Sequence, residues 1–193
     1  GCSKLDFRDI HALDCDRAWV ISAGDTCKIY YTSDAGQSWK IQYTNYEPGI
    51  FFDGFAFWDQ KNGLAYGDPI DGRFYIIETT DGNTWHQIDD EALPHALKGE
   101  AGVAASGTGI FTLGKEAVWI ATGGGAKARV LYSGDKGVSW TSYDSPLISN
   151  HAAGIFSIIF TTSSNGTIVG GSYLDSTNKV ANCATTTDGG VTW

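Results

Sequence analysis

Hydrophobic and polar positions alternate along this chain in short bursts. Ala18-Trp19-Val20-Ile21-Ser22-Ala23, Lys28-Ile29-Tyr30-Tyr31-Thr32, Arg73-Phe74-Tyr75-Ile76-Ile77-Glu78-Thr79 and Ala117-Val118-Trp119-Ile120-Ala121-Thr122 are rich in β-branched and aromatic residues, and clusters of Gly, Asp, Asn and Ser separate such runs. Runs of this length and composition predict strands. No stretch of useful length carries the spacing of an amphipathic helix, so the pattern predicts an all-β protein.

A turn signature punctuates the runs four times. The copies are Thr32-Ser33-Asp34-Ala35-Gly36-Gln37-Ser38-Trp39, Thr79-Thr80-Asp81-Gly82-Asn83-Thr84-Trp85, Ser133-Gly134-Asp135-Lys136-Gly137-Val138-Ser139-Trp140 and Thr186-Thr187-Asp188-Gly189-Gly190-Val191-Thr192-Trp193. Their aspartates are 47, 54 and 53 residues apart (34 to 81, 81 to 135, 135 to 188). A period of that size with one turn motif per unit marks a propeller or a similar array. The second copy is one residue short between Asp81 and Trp85, which predicts a tighter or irregular hairpin. In each turn the carboxylate can accept backbone N–H groups of its own loop, glycine supplies positive φ, and the indole covers the hairpin. The same residue at four equivalent places reads as scaffold rather than as catalytic acid or metal ligand.

Aligned on these aspartates, each unit shows four strand-like segments. They are Phe7–Leu13, Ala18–Ala23, Lys28–Thr32 and Trp39–Tyr43 in the first unit, and Phe52–Trp58, Gly63–Gly67, Arg73–Thr79 and Trp85–Ile88 in the second. The third has an interrupted Gly102–Leu113, then Ala117–Thr122, Ala128–Ser133 and Trp140–Tyr143. The fourth has Gly154–Thr161, Thr167–Gly171 and Val180–Thr186 and stops at Trp193. The expected fold is a β-propeller of four-stranded antiparallel blades over about 5–43, 52–88, 102–143 and 154–193, one domain spanning 1–193. A last unit stopping at its turn reads as part of a longer propeller.

Composition narrows the function. A net charge of −9 with only four arginines, none adjacent, argues against nucleic acid. No run of eighteen apolar residues predicts a membrane span. The four cysteines and four histidines show no metal-ligand spacing, so no metal or cofactor is expected. Cys15 and Cys27 fall at strand ends expected on opposite sides of a sheet, which argues against a bridge between them. Gly1-Cys2-Ser3 has the look of a bacterial lipoprotein cleavage site, although no apolar leader precedes it, and a lipid anchor is the expectation it offers.

The turns resemble those of the BNR/Asp-box superfamily. More narrowly, Leu5-Asp6-Phe7-Arg8-Asp9, Phe51-Phe52-Asp53, Ala56-Phe57-Trp58-Asp59, Gly67-Asp68-Pro69-Ile70-Asp71-Gly72-Arg73-Phe74, Gly99-Glu100-Ala101, Ala104-Ala105-Ser106-Gly107-Thr108 and Ala153-Gly154-Ile155-Phe156-Ser157 resemble bacterial proteins similar to the photosystem II stability/assembly factor. The resemblance implies a propeller of six or seven blades, usually exported, with no established chemistry in most bacterial members.

The propeller reading also predicts where a site would lie. Loops between second and third strands, and from fourth strands to the next unit, should gather Asp25, Asp68, Asp71, Arg73, Glu100, Lys127, Arg129, His151 and Asp175 at the channel mouth, with Asp53 close by. Of these, Asp53, Asp68, Asp71, Arg73, Glu100 and Arg129 are the ligand-binding candidates, since arginine grips carboxylates and phosphates bidentately. The plainer reading has Arg73 and Arg129 pairing with Asp53, Asp68 or Glu100 to bridge blades. The function expected is a non-enzymatic scaffold binding a protein or glycan. The alternative is a glycosidase, sialidase-like or otherwise, recruiting two of the carboxylates; no Arg-Ile-Pro and no G-x-S-x-G occurs.

Overall fold

The computed structural model describes residues 5–24, 26–103, 106–175, 177, 179 and 181–193. It is all-β and antiparallel throughout. The first sheet runs β1 (Asp6–Ala12), β2 (Ala18–Ala23), β3 (Cys27–Thr32), β4 (Lys40–Asn45), in that spatial order. The second runs β5 (Phe52–Phe57), β6 (Gly63–Ile70), β7 (Arg73–Thr79), β8 (His86–Gln87). In the third unit the interrupted first strand is divided into β9 (Ala101–Gly102) and β10 (Ile110–Leu113), both on β11 (Ala117–Gly123), followed by β12 (Arg129–Ser133) and β13 (Thr141–Asp144). The fourth runs β14 (Ala153–Phe160), β15 (Gly166–Ser172), β16 (Cys183–Thr186). A single ladder pair, Gly123 opposite Gly154, joins the third and fourth units. Among the described residues the one helical element is a 3₁₀ turn at Asp90–Ala92.

The core lies between consecutive sheets, because alternate residues of every middle strand face opposite neighbours. Trp19, Ile21 and Ile29 of the first sheet meet Phe52, Phe57, Ile77 and Trp85 of the second. Leu64, Tyr66 and Ile76 then meet Ile120, Leu131 and Trp140. Trp119 and Val130 meet Ile155, Phe160 and Ile168, with the Trp119 and Phe160 rings stacked at 3.9 Å.

That arrangement corrects one expectation about the tryptophans. With each indole covering its hairpin, Trp39, Trp85 and Trp140 are expected to be buried. Trp85 and Trp140 are buried at 6% and 9% exposure, but Trp39 is 41% exposed. Trp193 is half-buried against the third core. Each turn tryptophan covers the face its sheet turns to the preceding sheet. Among the described residues no sheet packs on that face of the first sheet, and Phe7, Ile10 and Ile41 are exposed there with Trp39.

Three first strands carry a bulge at the same place: between Phe7 and Asp9, between Phe52 and Gly54, and between Ile155 and Ser157. Arg8, Asp53 and Phe156 are therefore equivalent extra residues. A bulge re-aims one side chain. Here it turns Arg8 and Asp53 toward the joints between sheets. Cys15, Cys27 and Cys183 are unpaired, and Cys27 donates its thiol to the Ile50 carbonyl at 3.1 Å.

Candidate functional site

The two ends of the sheets differ in chemistry. At one end stand the four aspartate turns, and three of them share a single hydrogen-bond pattern. The Asp34 carboxylate accepts the Ser38 N–H at 2.9 Å and the Ser38 and Thr32 hydroxyls at 2.5 and 2.8 Å. Asp135 and Asp188 repeat this with Ser139 and Ser133, and with Thr192 and Thr186. Ala35 and Lys136 take positive φ ahead of Gly36 and Gly137. The shortened turn differs as its length predicts: Asp81 accepts the Asn83 and Thr84 N–H groups, both at 2.7 Å. Hydrogen bonds from Ser38, Thr84, Ser139 and Thr192 hold all four carboxyls below the usual range, Asp188 at about 2. These hydrogen bonds close within each carboxylate's own turn.

At the other end lie the turns between second and third strands and the connections between units. Arg129 is 7% exposed and clamped on Glu100, which is 4% exposed. Its Nε and Nη2 donate to the two Glu100 oxygens at 2.9 and 2.6 Å, and Nη2 also reaches the His95 carbonyl. Glu100 accepts the Leu97 N–H at 2.7 Å and the Thr122 hydroxyl at 2.6 Å. The pair is saturated with partners, which is what a buried ion pair requires. Together these bonds fix the 97–101 turn against Gly124 and Gly125.

The other predicted residues are spread around this end. Arg73 donates to the Leu93 carbonyl and, with Asp71, Glu47 and Gln87, lines a polar pocket of ≈ 180 Å³. Lys127 pairs with Asp144 at the surface, and Asp175 accepts the Thr177 hydroxyl. Asp25 lies outside the described residues. Thus Glu100 and Arg129 come together as a buried ion pair, whereas Asp71 and Arg73 line one small pocket.

Asp53 and Asp68 form a third group, with Asp9 and Tyr66. Asp68 accepts the Gly102 N–H at 3.0 Å, crossing from the second unit to the third. Asp9 accepts the Phe55 N–H at 3.0 Å, crossing from the first sheet to the second. Asp53 is 2% exposed, and its Oδ2 is buried without a hydrogen-bond partner. Burial, reinforced by the neighbouring Asp68 charge and opposed by Arg8, pushes Asp53 up to about 8. Burial likewise raises Asp68 and takes Asp9 to about 6. Among the described residues no three His, Cys, Asp or Glu side chains are grouped to hold a metal ion.

A larger cavity opens beside these groups. Ala101–Val103, Gly124, His151–Ala153 and Tyr173 line a groove of ≈ 440 Å³ at the junction of the third and fourth units. Its walls are small side chains and backbone; His151 and Tyr173 stand exposed at the rim, with Leu174 next to Tyr173 at 68% exposure. His151, expected among the channel-mouth residues, borders this groove, whereas Tyr173, Asp9, Tyr66 and the groove itself were not expected from the sequence. Glycine and alanine at 101–102, 124 and 152–154 are the only sequence trace, and they leave room rather than announce chemistry.

Comparison with known proteins agrees with the fold. No family profile and no curated protein matches the sequence. Solved structures do. YCF48 bound to a D1 peptide is 19% identical over 86% of this chain and 48% of its own, with a TM-score of 0.55. YCF48 from Cyanidioschyzon merolae is 13% identical over 86% and 50%, with a TM-score of 0.52. An ancestral GH74 enzyme is 19% identical over 97% and 23%, with a TM-score of 0.59. This chain therefore spans about half the length of the YCF48 structures, and at these identities the likeness is one of propeller-like fold. No helix among the described residues is long and apolar enough to cross a membrane.

Proposed function

We propose that the four units are consecutive propeller blades with Asp-box turns, forming a scaffold that binds a segment of another protein in the groove between the third and fourth. The observation that carries this reading is the groove itself. A cavity of ≈ 440 Å³ walled by small residues and rimmed by exposed His151 and Tyr173 suits inserted side chains of an extended peptide. The Glu100–Arg129 pair acts as its positioning device, since it fixes the turn that leads into Ala101. YCF48, of similar fold, has been solved with a D1 peptide, which makes a peptide the first ligand class to test. The chain's net charge of −9 favours neutral or basic segments.

The glycosidase alternative needs two carboxyls at the sugar. Asp53 and Glu100 are sealed at 2% and 4% exposure, so they fit an architectural role better. Selection from a displayed peptide library, followed by calorimetry on the selected peptides, tests the groove. Tyr173→Ala with His151→Ala is expected to weaken binding about tenfold or more, a loss of about 1.4 kcal/mol. Val138→Ala, an equally exposed site in an aspartate turn, should change nothing. Equal affinities for all three proteins would contradict the reading.

A further inference from the structure

The carboxyl cluster stands directly behind one wall of the groove. Asp68 binds the Gly102 N–H, and a Cβ on Gly102 would lie 2.0 Å from Asp53 Oδ2, so both carboxyls converge on one residue of that wall. The same stretch presses two more glycines on the cluster: a Cβ on Gly107 would lie 2.2 Å from Asp9 Oδ1, and one on Gly109 would lie 2.3 Å from the Tyr66 hydroxyl. The titratable groups around Asp53 are Arg8 and Asp9 from β1 and Tyr66 and Asp68 from β6; the sequences of β2, β9 and β10 carry none. Arg8, the single cation among them, directs Nη2 to Asp6 and lies over the Phe51 ring. Two ionised carboxylates meeting at Gly102 would repel each other where solvent screens them little.

We propose that Asp68 clamps Gly102 through its N–H beside a protonated Asp53: while Asp53 keeps its proton that bond holds the Ala101–Val103 wall closed, and with both carboxyls ionised their repulsion loosens it. The step is an acid dissociation in which Asp53 releases its proton to solvent. Burial sets the midpoint near 8. That the loosened wall weakens ligand binding rests on the groove reading above; the clamp itself does not.

The test is ¹³C NMR of the whole chain from pH 5 to 9.5, following the aspartate carboxyl carbons and Gly102 Cα. The Asp53 carboxyl is expected to titrate near 8, with Gly102 Cα moving at the same midpoint. Asp68→Asn should lower that midpoint by removing a like charge, and Arg8→Leu should raise it. An Asp53 midpoint below about 5, the ordinary carboxyl range, overturns the clamp. So does a Gly102 signal that stays still while Asp53 titrates; both outcomes are read on the wild-type protein alone. A library-selected peptide should bind at least about threefold more weakly at pH 9 than at pH 6.5, and equally at both in Asp53→Asn. An unchanged affinity beside an intact Gly102 titration counts against the groove, not the clamp.

Discussion

Asp135 and Asp53 are the same residue type at opposite ends of the sheets, and their environments drive them in opposite directions. Asp135 sits in solvent with the Ser139 and Ser133 hydroxyls and a backbone N–H on its oxygens, so it stays ionised far below neutral pH. Asp53 is sealed in a joint between units with one oxygen unpartnered, so it keeps its proton to about 8. The first kind of site repeats because a turn needs only its own residues. The second occurs once, because it needs a bulge on β5, a neighbour on β6 and a glycine from the third unit to meet. Repetition in this chain builds the frame, and its exceptions mark where function can reside.

The largest expected effect lies at the loop end. Glu100→Ala strips a buried guanidinium of its counter-charge and should destabilise by about 3–5 kcal/mol in urea denaturation. Trp140→Ala should cost a similar 3–5 kcal/mol, as buried aromatic truncations do. Trp39→Ala should cost clearly less, because its ring faces solvent on one side. Equal losses at the two tryptophans would break the picture of sheets covering one another in order.

Acid and alkali should act on opposite ends. Asp53 has a folded pKa near 8, above its ordinary 3.8, so its contribution is full below about pH 4 and lost as pH rises through 8. Asp188, held at about 2, contributes above about pH 4 and loses that as pH falls through 2. Urea midpoints should therefore be higher at pH 5.5 than at 8.5, and Asp53→Asn should flatten that alkaline decline. Asp188→Asn should flatten the acid side instead. An alkaline decline undiminished by Asp53→Asn would place the responsible group elsewhere, at Asp9 or Asp68, which burial also raises. The smallest effect is expected for Val138→Ala, at 74% exposure, within about 0.5 kcal/mol of the parent.

The strands were legible because each middle strand alternates and each unit carries its own punctuation. Ala18–Ala23 and Arg73–Thr79 have the bounds expected of them, and even the break in the third unit's first strand showed. The orientation of the tryptophans was not legible. Whether Trp39 or Trp193 is covered depends on which neighbour each ring faces, and local sequence does not encode that. The site was half legible. Glu100 and Arg129 stand out as charges in loops, yet their pairing arises from β12 meeting the 97–101 turn across 29 residues. Tyr173 and Gly102 carry no motif, since a groove is made by absent side chains as much as by present ones.

Chemical-shift mapping of a library-selected peptide on the isotope-labelled protein tests the central contrast between the two ends most directly. Perturbations are expected at Ala101–Val103, Gly124, His151–Ala153 and Tyr173, with the turns around Asp34, Asp81, Asp135 and Asp188 unmoved. Perturbations centred on those turns, with the groove silent, would contradict that contrast.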